Sequence, residues 1–178
     1  PIQRQAPVEP DPQTGAARRV VSGVVTYNAK GQASERFLPY FKAGPPGTYA
    51  SDFGSQPKAT FAYDAIGRLT RLTNADHTFS ERHYDDWSAT FIDENGHMTV
   101  ERYDAYGSII TVEEDNEKER YSTVYRYDAL NRLTSVTDHQ RNVTRLIYDS
   151  LGRRVQIHDP NRGMTMYDYD AAGNLVRQ

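Results

Sequence analysis

Cysteine is absent from this 178-residue sequence. Its absence excludes disulfide bonds and thiol chemistry, and it is compatible with either a reducing or an oxidising compartment. No apolar run is long enough to span a bilayer, and no segment has the pattern of a signal peptide. The net charge is only −3, with both signs interspersed. The sequence therefore has no basic stripe of the kind that would indicate a nucleic acid or an anionic membrane surface as a partner.

Large aliphatic side chains are also scarce. The hydrophobic fraction is 37% and the mean hydropathy is −0.79, values typical of strands that expose one face to water. Thirteen tyrosines replace some of the missing aliphatic residues. No part of the repeated region has the pattern of a long amphipathic helix, so the composition favours β structure rich in Thr, Val, Tyr and Ile.

The sequence does contain one short phrase many times: Tyr-Asp, two further residues, then Gly or Asn. Both intervals from Tyr127 to Tyr148 and from Tyr148 to Tyr169 are 21 residues. A degenerate copy, YDDWSAT, begins at Tyr84, and an earlier relative, YNAKGQA, begins at Tyr27. A phrase that recurs at a period of about 20 residues predicts a repeat architecture. The regular copies begin at Tyr63, Tyr103, Tyr127, Tyr148 and Tyr169.

The chemistry of the phrase predicts a hairpin turn. Asp64 suits the first position of a type I turn, where its carboxylate accepts from backbone N–H groups two and three residues on. Gly67 then lies where the chain needs positive φ, as in a three-residue loop closed by a bulge. Asn131 replaces glycine in one copy, and asparagine tolerates that conformation. The corresponding residues elsewhere are Asp104 and Gly107, Asp128 and Asn131, Asp149 and Gly152, and Asp170 and Gly173.

This loop geometry predicts the strand register. Each tyrosine should face the residue six positions later: Tyr63 with Leu69, Tyr103 with Ile109, Tyr127 with Leu133, and Tyr169 with Leu175. Tyr148 faces Arg154 instead, so its hairpin should be weaker or locally shifted. The third turn residue is apolar in four copies, which predicts that neighbouring turns touch and form an apolar row along one rim. These residues are Ile66, Tyr106, Leu130 and Leu151.

A second, polar turn lies midway between the phrases, so one repeat consists of two strands and two turns. We predict an all-β fold, a curved strip of stacked antiparallel β-hairpins with five to six repeats over residues 58–178. The proline-rich residues 1–17 should form an extended linker unable to order itself. Residues 18–57 should form a capping β-hairpin with its loop at 28–31 and a Pro/Gly-rich loop insertion. The second turns are expected at 74–77, 93–97, 113–119, 138–142 and 159–163.

The end of the array predicts open edges. The last hairpin is incomplete, and natural sheets cap or cover an unpaired strand edge. We therefore expect this chain to be a piece of a longer protein, and edge-to-edge self-association is possible.

No catalytic, cofactor-binding or metal-binding residue emerges from the sequence, and we expect no enzymatic activity. The acidic run at 113–117 lacks the glycine and alternating spacing of a calcium loop. Asp85 and Asp86 beside Trp87 resemble the paired carboxylates of glycosidases, but both lie inside the degenerate turn, adjacent in sequence, and should point in opposite directions as on a strand. Four histidines near second turns lack metal-ligand spacing, and we interpret them as surface residues: His77, His97, His139 and His158.

The YDxxGRL phrases, over roughly Lys58 to Gln178, resemble the YD repeats of RHS proteins. The preceding SGVVTYNAKGQASERFLPYF is similar to the segment before the repeats in the B component of bacterial toxin complexes (Tc toxins). The resemblance implies a strip that winds into a hollow shell around a toxic polypeptide, in a secreted or exported bacterial protein. It gives the turn residues structural roles only, because neither the family's self-cleaving aspartate segment nor a toxin domain is recognisable here.

The resemblance also suggests the partners. These would be the remainder of the shell or a partner YD-repeat chain, together with the enclosed toxin, without nucleic acid or membrane insertion. An alternative is a carbohydrate- or cell-surface-binding module, because rows of exposed aromatic rings can stack on sugars. Four of the five regular phrase tyrosines have a cross-strand aliphatic partner, which favours packing over sugar binding.

Overall fold

A computed structural model describes residues 3–47, 49–116 and 119–178, and these residues form strands joined by turns. The all-β prediction is confirmed. The chain divides into two compact units, Pro1–Arg82 and His83–Gln178. The strands are β1 Arg4–Val8, β2 Arg18–Ser22, β3 Val25–Tyr27, β4 Ala33–Phe37, β5 Tyr40–Ala43, β6 Lys58–Tyr63, β7 Leu69–Thr73, β8 Phe79–Tyr84, β9 Ser88–Ile92, β10 Met98–Tyr103, β11 Ile109–Asn116, β12 Glu119–Tyr127, β13 Leu133–Thr137, β14 Val143–Tyr148, β15 Arg154–Asp159, β16 Gly163–Met166, β17 Asp168–Tyr169 and β18 Leu175–Arg177.

The first unit contains two sheets. Strands β1, β2 and β5 form a three-stranded antiparallel sheet in the order β1-β2-β5. Strands β3, β4, β6, β7 and β8 follow one another as antiparallel neighbours in a second sheet. The hairpin of β3 and β4 has its loop at 28–31 as expected. The single capping hairpin predicted for 18–57 is wrong, because β2 and β5 pair in the other sheet.

The prediction that residues 1–17 cannot order themselves is wrong for Arg4–Val8. This segment pairs along β2, with Gln5 opposite Val21, so backbone hydrogen bonds compensate for its few apolar side chains. Pro7 is tolerated because an edge strand can dispense with an N–H group. Gln3 adds a further contact, since its side-chain amide exchanges two 2.9 Å hydrogen bonds with the backbone of Ala50.

The first unit has a small apolar core. Val21 and Val24 are fully buried, and Phe37 and Tyr40 are nearly so. The Pro/Gly-rich insertion closes this core, because Ala50 is buried in it and the Phe53 ring meets Phe37 edge to face at 4.9 Å between centroids. The core therefore lies in the segment that precedes the regular repeats.

The second unit is an antiparallel meander. Strands β9 to β16 are neighbours in chain order, and β17 pairs with β18 in a separate hairpin. Ala89 is the one side chain in the described part of this unit that is fully buried. Neighbouring strands and turns, more than a dense core, must therefore hold these repeats together.

The predicted tyrosine register is confirmed in every regular phrase. The bulge that follows each loop places the tyrosine opposite the residue six positions later. Tyr148 faces Arg154 in the same register, so the expected local shift is wrong. The long side chain of Arg154 instead lies over the Tyr167 ring, 5.0 Å from its centroid.

Cross-strand pairs define two faces of the meander in the second unit. One pairing row runs through Arg126, Ser135, Arg145 and His158, and we call the face that contains it the arginine face. The opposite face, the tyrosine face, carries Tyr127 against Leu133, Tyr125 against Val136, and Leu146 against Ile157.

The turn predicted at 113–119 is too wide, because β11 continues to Asn116 and β12 begins at Glu119, and these two residues pair with each other. Opposite charges on neighbouring strands make the acidic segment compatible with a sheet. Glu113 lies 3.6 Å from the Arg102 guanidinium, and Asp115 lies 3.7 Å from that of Arg120. Glu117 lies outside the described residues.

Candidate functional site

The phrase turns are three-residue loops closed by a bulge. In the first regular copy the Asp64 N–H donates to the Arg68 carbonyl at 2.9 Å, and the Gly67 N–H donates to the Asp64 carbonyl at 3.1 Å. Gly67 has φ of 94°, and Asn131 adopts φ of 59° at the same position. The same pair of backbone bonds closes the turns that begin at Asp104, Asp128, Asp149 and Asp170.

The aspartate carboxylate organises each turn from inside. Oδ1 of Asp128 accepts from the N–H groups of Leu130 at 2.9 Å and Arg132 at 3.0 Å. The carboxylate therefore accepts from the N–H groups two and four residues after the aspartate. The prediction that it accepts from the groups two and three residues on is wrong for the phrase turns. The bulge explains the difference, because it turns the fourth N–H back towards the carboxylate. The same pattern holds at Asp64, Asp104, Asp149 and Asp170.

An arginine four residues after the aspartate completes the turn, and sequence analysis missed it. Arg132 Nε donates to Asp128 Oδ2 at 2.7 Å. The same 2.7 Å contact joins Arg68 to Asp64 and Arg153 to Asp149. The sequence signal was the recurrent arginine of YDxxGR.

The same arginines connect one turn to the next phrase. The Arg132 guanidinium lies over the Tyr148 ring, 5.0 Å from its centroid, and Nη1 is 3.4 Å from the Asp149 carbonyl. Arg153 repeats this arrangement one phrase later, at 4.9 Å from the Tyr169 centroid and 3.4 Å from the Asp170 carbonyl. Asp128 and Asp149 thus each hold an arginine in position against the following hairpin.

The tyrosine hydroxyl makes the reciprocal contact. Tyr148 Oη donates to the Leu133 carbonyl at 2.9 Å. Leu133 is the residue that lies opposite Tyr127 in the preceding hairpin. The tyrosine hydroxyls thus form hydrogen bonds across hairpins, which phenylalanine could not form. The equivalent bonds are Tyr63 to Ala33, Tyr127 to Ile109, and Tyr169 to Arg154.

The degenerate copy breaks this pattern. Its loop closes through a 2.8 Å bond from the Asp85 N–H to the Ser88 carbonyl, so two residues, Asp86 and Trp87, form the tip. In the regular copies, the next tyrosine hydroxyl donates to the carbonyl of the residue opposite the preceding phrase tyrosine. The shortened loop lacks this arrangement. Tyr103 Oη instead donates to the Glu101 carboxylate. That hydrogen bond, together with partial burial, raises the pKa of Tyr103 to about 12.

Contacts within the turns lower the pKa of several phrase aspartates. The side chain of Arg68 lowers the pKa of Asp64, and the backbone N–H of Arg132 lowers the pKa of Asp128, with the Arg132 guanidinium adding to the effect. The side chain of Asn174 lowers the pKa of Asp170. The ionised carboxylate is therefore the form that the folded turn prefers.

We expect acid to weaken the turns. An aspartate whose pKa is lower in the folded protein than its unfolded value of about 3.9 stabilises the fold. This stabilisation is complete above the unfolded pKa, and it is lost as the pH falls through the folded pKa. Asp128→Asn should lose the ionic contact with Arg132 but keep the backbone bonds, because the Asn28 amide already accepts two such bonds. Urea unfolding at pH 6 and pH 2.5 should therefore show a stability difference between wild type and variant that shrinks in acid. A difference that is constant with pH would contradict this linkage.

The apolar tips do not touch one another. Ile66 is 77% exposed, Tyr106 87%, Leu130 73% and Leu151 75%. The expectation of a packed row is wrong, because successive phrase turns are separated by two strand spacings, about 10 Å. Within the second unit, Tyr106, Leu130 and Leu151 form an exposed apolar rim.

The other predicted candidates remain dispersed. His97 Nδ1 lies 2.9 Å from Asp93 Oδ2, and the His139 ring meets Tyr121 edge to face. Across the described ranges, no group of three or more His, Cys, Asp or Glu residues is arranged to bind a metal. Asp85 and Asp86 lie in the degenerate turn as predicted. Both line one recess, so the expectation that they point in opposite directions is wrong.

No helix among the described residues is long and apolar enough to cross a membrane.

Comparisons with known proteins agree with this geometry. The RHS Repeat family model matches residues 127–164 and 148–178. The crystal structure of TcdB2-TccC3 superposes with a TM-score of 0.79 at 21% identity, covering 98% of this chain and 11% of that one. The Photorhabdus luminescens Tc holotoxin pore, with a TccC3 mutation, matches with a TM-score of 0.58 at 20% identity over 90% of this chain and 10% of that one. The chain thus spans about a tenth of each of these solved chains, and no curated protein matches it.

Proposed function

Because residues 127–178 match the RHS Repeat family model and the chain folds like part of the TcdB2-TccC3 structure, we propose that it forms part of the wall of a hollow shell. The shell would enclose a toxin or effector polypeptide until delivery. The function is that of a structural scaffold in a secreted or exported bacterial complex, with no catalytic step assigned to these residues.

The observation that carries the proposal is the repeated contact between consecutive hairpins. Arg132 bonds Asp128 and lies over Tyr148, whose hydroxyl bonds the previous hairpin. Arg153 makes the same contacts with Asp149 and Tyr169. These contacts use only residues of the phrase, so the sheet can be extended by adding phrases. A continuous wall built in this way would keep proteases away from an enclosed chain.

The rim and the edge suggest how the wall continues. The exposed apolar tips offer a surface that another YD-repeat strip can cover. On its outer side β16 carries no strand partner among the described residues, so a further strand can add there. The proposed partners are therefore the remainder of the same shell or a partner YD-repeat chain, with the enclosed polypeptide inside.

The arginine face is suited to the inside of such a wall. Arg126, Ser135, Arg145 and His158 form its central pairing row. A polar lining would contact an enclosed polypeptide without the broad apolar adhesion that would hold it in place. We propose this orientation as part of the shell function.

A carbohydrate-binding role is the alternative. A groove of about 700 Å³ beside the highly exposed Tyr106 is lined in part by Tyr125 and Asn131. Part of its polar lining is already occupied, because Asn131 Oδ1 accepts from Ser108 at 2.7 Å and Tyr127 Oη donates to the Ile109 carbonyl at 2.9 Å. The groove therefore offers a sugar an aromatic ring, but two of its polar groups already have partners within the protein.

Protease protection of the full-length gene product tests the shell. We expect an internal polypeptide to survive trypsin in the native product, and to be digested when expressed alone or after the wall is opened with denaturant. Digestion at equal rates in the native product and in isolation would refute enclosure. A saturable signal on a glycan array, without protection, would favour the alternative.

A further inference from the structure

We propose that the degenerate phrase forms a binding site for an arginine side chain of a peptide partner. The site is the Trp87 recess, an opening of about 360 Å³ lined by Asp85, Asp86, Trp87, Arg102, Tyr103 and Ile110. It depends on none of the regular phrase turns, so its test is independent of the shell proposal.

The recess arises because this loop is shorter than the others. Regular loops place three residues and a bulge at the rim, whereas the Asp85–Ser88 turn places two. Trp87 is fixed by its backbone, since its carbonyl accepts from the Tyr103 N–H at 2.9 Å. The tip therefore leaves an opening above Tyr103 and Ile110, and the position of Trp87 is well defined.

Trp87 supplies an open aromatic surface. Its side chain is 59% exposed, although tryptophan is usually largely buried. Among aromatic side chains, tryptophan attracts cations to its ring face most strongly. It is also the sole tryptophan of the chain.

The charge of the recess favours a cation. Asp86 has no hydrogen-bond or ion-pair partner for its carboxylate within the described part of the chain, and Asp85 Oδ1 accepts only from the Asp86 N–H. The one cationic side chain in the lining, Arg102, is paired with Glu113 at 3.6 Å. The Asp85 and Asp86 carboxylates can thus accept further hydrogen bonds, and they line the same recess as Trp87.

A guanidinium group fits these features together. Its plane can stack on an indole while its N–H groups donate to a carboxylate, and its weak hydration lowers the cost of leaving water. A lysine ammonium lacks the planar stacking surface, and a neutral sugar does not use the negative charge. The occupant to which the geometry points is therefore an arginine presented by an extended peptide.

The intrinsic fluorescence of Trp87 reports on this site directly. Titration with acetyl-Gly-Arg-Gly-amide should give a saturable change, with binding at least about fivefold weaker for the citrulline peptide, which has the same shape without the charge. Asp86→Asn should weaken arginine binding roughly threefold to tenfold, and added salt should weaken it further. Glu114→Gln is the matched control, because it removes one exposed carboxylate on another strand of the same unit and should leave the affinity unchanged.

Three outcomes would overturn the proposal. The first is no saturable change with the arginine peptide, and the second is equal binding of the arginine and citrulline peptides. The third is equal weakening by Asp86→Asn and Glu114→Gln, which would indicate a general charge effect. Far-UV circular dichroism of each variant ensures that only folded proteins are compared, and a stronger response to maltotriose than to the arginine peptide would assign the recess to a sugar instead.

Discussion

Phe37→Ala should destabilise the first unit by about 3–5 kcal/mol, the range for removing a buried aromatic side chain. Phe37 is 3% exposed and packs edge to face on Phe53, with Lys58 Nζ 5.4 Å from its ring centroid. The cavity would lie beneath the Pro/Gly-rich insertion, where few other apolar groups can move in to fill it. Of the other core residues, only Tyr40 has a side chain of comparable size.

Native-state hydrogen exchange at the amides of β2 and β4 measures this loss. Leu38→Ala is the matched control, because Leu38 is adjacent in sequence but 48% exposed, and it should cost well under about 1 kcal/mol. Similar losses for both variants would show that Phe37 does not anchor a core, and the account of the first unit would be wrong.

Tyr148→Ala should destabilise the surrounding hairpins by about 2–3 kcal/mol, and Tyr148→Phe by about 1 kcal/mol. Phenylalanine removes only the hydroxyl bond to the Leu133 carbonyl. Alanine also removes the ring beneath the Arg132 guanidinium. The tyrosine is half-buried, so its truncation should cost less than that of a core aromatic.

Amide exchange in β13 to β15 resolves the two contributions. Tyr121→Phe is the control, since the Tyr121 hydroxyl bonds the Glu119 side chain in the same strand and contributes little between hairpins. An Arg132→Ala and Tyr148→Ala double-mutant cycle should give a coupling of about 0.5–1 kcal/mol. If Tyr148→Phe behaved like Tyr121→Phe, the tyrosine ladder would have no role in joining hairpins.

Local chemistry made the phrase turns predictable from sequence. Positive φ at Gly67 and Asn131 depends on residues within one loop, and the bulge then determines the partner of each tyrosine. The register of Tyr127 with Leu133 followed from counting alone. Features set within a few residues could therefore be predicted, including the all-β fold.

Features that depend on distance between hairpins were not predictable in the same way. The contact of Arg132 with Tyr148 requires the spacing and twist of two strands, which the sequence does not show. The same spacing leaves Leu130 exposed. Strand Arg4–Val8 depends on β2 and on the Ala50 loop, so its proline-rich composition was misleading. The Trp87 recess appears only when the shortened loop is placed beside its neighbours.

Electron cryomicroscopy of the native, full-length gene product tests the shell most directly. We predict a continuous β-wall that closes around internal density, with the phrase turns of these residues covered by a neighbouring strip and the arginine face directed inwards. An open strip with both faces in solvent and no internal density, or a native protein no larger than these 178 residues, would contradict encapsulation.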